Sequence, residues 1–406
     1  MRNRGKDMKY VVILGDGMAD EPIESLGNKT ILQAADTPFL DMLSKKSEIG
    51  MVHTVPDGMA PGSDTANLSV LGYDPKIYYS GRSPLEALSI GVPMTDTDIA
   101  LRCNIVTISE EEGVPYEEQT IIDHSSSEIS TEDCGILLEA VRKELENDIF
   151  KFYLGTSYRH CTIWHNGSVV KLTHDVLGQK VGPNLPETES LREMMKKSYE
   201  ILKNHPLNIE RKKKGLNPAN SCWFWGAGTK PALSSFEEKT GKKGVMISAV
   251  DLLKGIAVGA GMDNIIVPGA DGTLNTNYEG KANAAIKALT EDGYDFAYIH
   301  VEAPDEMGHQ GSVERKIKAV ENLDGRVIKT VVEGLKKSGE PFRVIVTPDH
   351  PTPIRLRTHV AKPVPYLLYD STEELDRTWN YNEAEAEASK NYVANGHQLI
   401  DKLFEK

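Results

Sequence analysis

The run Phe342-Arg-Val-Ile-Val346 is followed at once by Thr347-Pro-Asp349-His350. An apolar, β-branched run of this length, bounded by turn residues, reads as a buried strand. Its C-terminal end therefore carries a carboxylate and an imidazole side by side. Two other apolar runs end in the same way. Tyr10-Val-Val-Ile-Leu14 leads into Gly15-Asp16-Gly17, and Phe296-Ala-Tyr-Ile-His300 leads into Val301-Glu-Ala-Pro-Asp305-Glu-Met-Gly-His309. In open α/β sheets, ligands bind in the crevice beyond the strand C-termini. Runs this far apart in the chain, each delivering metal-type ligands, predict one sheet edge that gathers them.

The rest of the chain is read around that edge. Thr37 and Pro38 predict a helix over 37–43, with Thr37 as N-cap and Pro38 in the first position. Residues 49–55 read as a strand. The Pro- and Gly-rich stretch from Pro56 to Gly62 is a loop, and the run from Ser63 has helical character, so Ser63 falls at a helix N-terminus. From Gly244 to His359 strand and helix signals alternate, as in a mainly parallel sheet covered by helices. Between about residues 90 and 215 the texture changes. Strands are expected at 99–106 and 163–170, with a hairpin at the latter. An amphipathic helix is expected over 131–145 and another around 187–203. No Asp-His pair follows a strand there. The predicted organisation is an α/β core formed by 1–89 together with 216–406, and an inserted α/β domain over 90–215. Glu383–Ala388 reads as a surface helix without chemistry.

Composition excludes several classes. The formal net charge of −14 argues against nucleic acid, whose phosphates need a basic face. No run of eighteen apolar residues exists, so no membrane span is expected. The charged start of the chain lacks the apolar core of a signal peptide, and a cytoplasmic location is expected. Cys103, Cys134, Cys161 and Cys222 are far apart and form no CxxC, which reads as structural thiols.

The candidate constellation is Asp16, Ser63, Asp305, His309, Asp349, His350 and His359. Asp305 and His309, four apart on a helical turn, share a face and can grip one ion. Mixed imidazole and carboxylate suits zinc, manganese or iron(II) better than magnesium. Seven groups exceed the needs of one tetrahedral ion, and two ions fit better. Ser63 offers a nucleophile that a base or metal must activate, at a helix end suited to phosphate. Each residue also has a plainer reading: Ser63 as an N-cap, Asp305 and His309 as a surface pair, His359 as a core hydrogen-bonding group. His300, inside a strand, reads as a core histidine or one that supports a ligand.

Five motifs in order carry a family resemblance: Gly15-Asp16-Gly17, Pro61-Gly-Ser63-Asp-Thr-Ala-Asn67, Asp305-Glu-Met-Gly-His309, Thr347-Pro-Asp349-His350 and Thr358-His359. They resemble the alkaline phosphatase superfamily. Over nearly its whole length the chain is similar to cofactor-independent phosphoglycerate mutases of the archaeal type. The resemblance implies an alkaline-phosphatase-like core with helices on both sides of its sheet. It implies one divalent ion on Asp16, Ser63, Asp349 and His350 and a second on Asp305, His309 and His359. Manganese is the first choice of ion, with zinc or magnesium as alternatives, and no bisphosphoglycerate is needed. Ser63 would take the phosphate of a small phosphorylated substrate and return it to the other hydroxyl, interconverting 2- and 3-phosphoglycerate. The inserted domain would cover the substrate and supply its cations. Arg102 with Asn104, Arg159 with His160, Arg211 and Lys254 are the candidates, a salt bridge being the plainer reading of each. The segments 66–71 and 78–84 also resemble a bacterial branch proposed as homoserine kinases, which would keep the metals and Ser63 but change donor and acceptor. A metal-dependent phosphatase, and a metal-stabilised binding protein without turnover, are the remaining alternatives. Homo-oligomerisation is left open.

Overall fold

The strand Lys9–Gly15 lies inside an eight-stranded sheet. Across that sheet the order is Tyr392–Val393, Glu48–Val52, Val364–Asp370, Phe342–Thr347, Lys9–Gly15, Phe296–Val301, Gly244–Ile247 and Asp263–Asn264. Lys9–Gly15 pairs in parallel with Phe296–Val301 on one side and Phe342–Thr347 on the other. Only Val364–Asp370 runs against its neighbours. Val11, Val12, Ile13 and Leu14 are all fully buried, so the sheet is covered on both faces. That is why these strands read as continuous apolar runs rather than alternating ones. On one face the core gathers Val11, Ile13, Ala282, Ala285, Val327 and Val331, with the helix Tyr278–Thr290 among its elements.

This computed structural model describes residues 7–173 and 176–405. They fall into two units: the chain up to Tyr79 together with the chain from Ala232, and Ser80–Pro231. The expected boundaries at 89/90 and 215/216 are thereby corrected. The strand Ser221–Thr229 pairs antiparallel with Ile99–Ile108, and the helix Arg82–Ser89 belongs to that same unit. The second unit's sheet is antiparallel, ordered Ile121–Asp123, Ile99–Ile108, Arg159–Trp164 and Phe150–Thr156, with Ser221–Thr229 also on Ile99–Ile108. The expected hairpin at 163–170 does not form, since Arg159–Trp164 pairs with the strand before it.

Several local expectations hold with altered chemistry. The helix Pro38–Ser44 begins as read, but Thr37 makes no side-chain cap. Asp324 instead accepts the N–H groups of Phe39 at 3.2 Å and Leu40 at 2.6 Å. The helix Glu383–Ala388 is not a plain surface helix, because Glu383 accepts the Asp20 N–H at 3.1 Å and the Thr30 hydroxyl at 2.6 Å. All four cysteines are buried free thiols. No helix among the described residues is long and apolar enough to cross a membrane.

Candidate active site

Parallel pairing sets Gly15 beside Val301 and Leu14 beside Thr347, so three strand ends open at the same sheet edge. Asp16 leaves the first. Asp305 and His309 follow the second on the helix Ala303–His309, which Pro304 helps to start. Asp349 and His350 leave the third. Ser63 occupies the first position of the helix Ser63–Val70, after an extended Gly62. The seven residues drawn from distant parts of the chain therefore converge.

Ser63 Oγ lies 3.2 Å from His350 Nε2 and 3.4 Å from Asp16 Oδ2. Asp349 is held by three donors. Its Oδ1 accepts the N–H of Gly17 at 3.1 Å and of His350 at 2.9 Å, and its Oδ2 accepts from Asn67 Nδ2 at 3.0 Å. Its Oδ2 is also 3.3 Å from His350 Nε2. Asn67 sits one helical turn after Ser63, whose carbonyl it also binds at 2.8 Å, and its Oδ1 accepts the Tyr298 hydroxyl at 2.6 Å. Gly17 needs its freedom here. Its φ is +59°, and a Cβ would run into Thr352 Oγ1 and the Asp305 side chain.

His300, read from its place in a strand as a core histidine or one that supports a ligand, holds the candidate ligand Asp16. Val250 N–H donates to Ser248 Oγ at 3.0 Å, and Ser248 Oγ lies 3.2 Å from His300 Nδ1. The Asp16 carboxylate takes the ring proton on Nε2, so Nδ1 of the neutral ring accepts from the Ser248 hydroxyl. His300 Nε2–H then donates to Asp16 Oδ2 at 2.8 Å. Burial pushes the His300 imidazole down to about 3, so it is neutral.

On the other side, Asp305 Oδ2 is 3.1 Å from His309 Nε2 and its Oδ1 is 3.4 Å from His359 Nε2. The two Nε2 atoms are 3.0 Å apart. His309 Nδ1 lies 2.9 Å from the Arg357 carbonyl, an acceptor only, which puts a proton on Nδ1 and turns Nε2 toward Asp305. The His350 and His359 rings stack with centroids 4.0 Å apart.

The electrostatics fit a pair of cations. Burial, and then the charges of Asp349 and Asp305, push the Asp16 carboxyl well above its ordinary range. Asp16 Oδ1 is buried with no hydrogen-bond partner among the described residues. Burial also works against ionised Asp305, yet hydrogen bonds from His309 and His359 hold it well below the usual range. The hydrogen bond to Asp305 lifts His309 to about 9. Crowded carboxylates, an orphaned oxygen and facing imidazole nitrogens are what a divalent ion neutralises. Donor atoms of Asp305, His309 and His359 all lie within 4.8 Å of one another, as do those of Asp16, Asp305 and His350.

The expected substrate residues divide. Directly opposed residues on paired strands share a face. Arg102, Asn104 and Arg159 therefore share one face of the second unit's sheet with Trp223 and Trp225. The Arg102 guanidinium lies 4.8 Å from the Trp225 ring centroid and 3.2 Å from Glu86, while its Nε and Asn104 Oδ1 are buried without a hydrogen-bond partner among the described residues. His160 is turned to the other face. Its Nδ1 accepts the Gly155 N–H at 3.2 Å, its Nε2 is 3.1 Å from Cys134 Sγ, and burial pushes it down to about 4. Arg211 is also drawn away, tied to the Ser126 carbonyl at 2.6 Å, the Asn217 carbonyl at 3.2 Å and Asp133 at 3.5 Å. Lys254 pairs with Asp251 at 3.1 Å. His124, which the sequence reading passed over, lines a cavity of about 350 Å³ with Asn104, Trp223 and Trp225.

Comparison with known proteins places this arrangement. The fold aligns with a protein of Pyrococcus horikoshii at a TM-score of 0.82 and 29% identity, covering 99% of this chain and 97% of that one. It aligns with the cofactor-independent phosphoglycerate mutase of Thermoplasma acidophilum at a TM-score of 0.67 and 26% identity, covering 98% and 99%. The fold is thus the α/β fold of cofactor-independent phosphoglycerate mutases. Among sequences, the 2,3-bisphosphoglycerate-independent phosphoglycerate mutase of Methanosarcina barkeri is 49% identical over 383 residues, 91% of this chain and 94% of that one. Its Methanosarcina mazei counterpart is 46% identical over 405 residues, 98% and 100%. A family model described as 2,3-bisphosphoglycerate-independent phosphoglycerate mutase matches residues 44–208. The chain belongs to the 2,3-bisphosphoglycerate-independent phosphoglycerate mutase family.

Proposed function

We propose that this chain interconverts 2-phosphoglycerate and 3-phosphoglycerate through a phosphoserine at Ser63. The observation that carries this is the position of Ser63 Oγ. It faces Asp16 Oδ2 and His350 Nε2 at the sheet edge where Asp305, His309, Asp349 and His359 also meet.

Asp16, Ser63, Asp349 and His350 would hold one divalent ion, and Asp305, His309 and His359 the other. The oxygen and nitrogen donors favour manganese, with zinc next. When bound, the ions supply Lewis-acid stabilisation of phosphoryl charge and lower the pKa of the serine hydroxyl. The chain's own groups do the rest. Ser63 Oγ sheds its proton, the acceptor within reach being Asp16 Oδ2, a carboxylate oxygen that keeps a further lone pair. It then forms the new O–P bond as the substrate's C–O–P oxygen departs and takes up a proton. The reverse transfer to the neighbouring hydroxyl of glycerate regenerates Ser63. Neutral His300 keeps the Asp16 carboxylate in place throughout.

We assign Arg102, Asn104 and Arg159 to the substrate's anionic groups, since guanidinium groups suit carboxylate and phosphate and two polar atoms of this set are buried without a hydrogen-bond partner among the described residues. A phosphoserine open to water would hydrolyse, and we assign its protection to the Ser80–Pro231 unit. We place the reaction in the cytoplasm, the compartment that suits four free thiols. The names of the relatives favour phosphoglycerate over homoserine as substrate.

The test is a coupled assay with enolase on metal-stripped protein re-supplied with manganese. The expected result is turnover of 3-phosphoglycerate without bisphosphoglycerate, acid-stable phosphate on Ser63 in quenched samples, and loss of both in Ser63→Ala. Phosphohomoserine formed from ATP, with no mutase signal, would overturn the substrate assignment.

A further inference from the structure

Between the two groups of ligands lies a side chain that neither group contains. Thr352 is fully buried. Its Oγ1 hydrogen-bonds Asp305 Oδ1 and lies 3.3 Å from His350 Nδ1. A carboxylate oxygen only accepts, so the threonine hydrogen goes to Asp305. Oγ1 is then the acceptor for His350 Nδ1–H. That places the histidine proton on Nδ1 and leaves the Nε2 lone pair facing Ser63 Oγ. One hydroxyl thereby sets the tautomer of His350 and the orientation of Asp305.

The hydroxyl has little freedom to move. Thr352 N–H donates to the Ala19 carbonyl at 3.3 Å. The Thr352 carbonyl accepts from Lys316 Nζ at 2.8 Å, and that ammonium pairs with Asp20 at 2.9 Å. The Thr352 side chain also fills the space that a Cβ on Gly17 or Gly308 would need.

We propose that Thr352 is a positioning residue that couples the two metal half-sites, orienting His350 of one and Asp305 of the other through a single hydroxyl. The proposal rests on the two-ion reading above. Groups that orient metal ligands in this way are worth about 10–100-fold in metal affinity. The proposal adds that here the loss falls on both ions at once, since the hydroxyl serves a ligand of each.

The experiment is manganese binding to metal-stripped, full-length protein, followed by the spectrum of free manganese and by calorimetry. The variants are Thr352→Val, which keeps shape and removes the hydroxyl, and Thr352→Ser, which keeps the hydroxyl. Two ions are expected on the wild type. In Thr352→Val both are expected to weaken by about tenfold or more, while the melting of the stripped protein stays put and Thr352→Ser binds close to wild type. Thr352→Ala removes the same hydroxyl without added bulk and repeats the test should the valine variant not fold. Two ions held by Thr352→Val as tightly as by wild type would overturn the proposal, and so would weakening of one ion alone. A wild type that binds fewer than two ions overturns the two-ion reading and the coupling with it.

Discussion

Lys316 offers the sharpest test of how the site is held from below. Its side chain is 0% exposed and that of its partner Asp20 is 1% exposed, with Nζ 2.9 Å from Asp20 Oδ2. The same ammonium donates to the carbonyls of Ala19 at 3.2 Å and Thr352 at 2.8 Å. Lys316→Met keeps much of the length and removes the charge. Among the described residues Asp20 would then retain the N–H groups of Glu21 at 2.8 Å and Ile354 at 3.2 Å. Breaking a buried pair from one side costs about 3–5 kcal/mol, because it strands the other charge. The two carbonyls lose a shared donor, and losses inside one network do not simply add. A loss of about 4 kcal/mol is expected, which for a unit of this size is a fall in Tm of about 10 °C. Urea unfolding of the metal-stripped protein reads the loss as a shifted midpoint at unchanged slope. Adding Asp20→Asn removes the stranded charge and should recover about half the loss. A single variant that loses less than about 1 kcal/mol, or a double variant no more stable than the single, would refute the account.

Two further outcomes follow from particular contacts. Ser248→Ala takes the acceptor from Val250 N–H and the donor from His300 Nδ1, freeing His300 to change tautomer and release Asp16. Manganese binding should weaken by about tenfold with little change in the melting of the stripped protein; unchanged affinity would show that Asp16 needs no such support. Asp324 titrates differently from an exposed carboxyl, because burial pushes it up to about 6 while it caps Phe39 and Leu40. Its unfolded value is near 3.9, so the folded chain holds this proton more tightly. The stabilisation is full below about pH 4 and is lost as pH rises through about 6. Asp324→Asn cannot ionise and should flatten that fall in a series of urea midpoints; an unchanged slope would count against the buried carboxyl as its source.

The candidate ligands were legible because each follows an apolar strand, and a buried parallel strand has a signature that survives without any partner in view. Asp16, Asp305 and Asp349 needed only the rule that ligands gather at strand C-termini. Ser63 was legible from the loop and helix that flank it. The supporting residues were not. Thr352, Ser248 and Lys316 are common residue types whose roles depend on partners hundreds of residues away, such as Lys316 on Asp20. Asn67 left a faint signal, one helical turn from Ser63. Arg159 and His160 were read together as a candidate pair, yet neighbours in a strand point to opposite faces, and the register opposite Asn104 and Cys103 decides which one joins Arg102. The unit boundary failed for a related reason. Ser221-Cys-Trp-Phe-Trp225 is an apolar run that suits either sheet, and its pairing with Ile99–Ile108 is a long-range fact.

The place where the second unit is spliced into the first has a consequence for synthesis. Ser80–Pro231 is one uninterrupted stretch, whereas the other unit is assembled from two. A ribosome therefore delivers the middle unit whole while Lys9–Gly15 still lacks both flanking strands, Phe296–Val301 and Phe342–Thr347. Val11, Val12, Ile13 and Leu14 must wait unpaired until those strands are made, and an unpaired apolar strand is a template for the wrong partner. The nascent chain is thus most exposed to misassembly at this strand. A prematurely terminated product that stops short of His359 would lack a ligand of the proposed metal pair, however well its middle unit had folded.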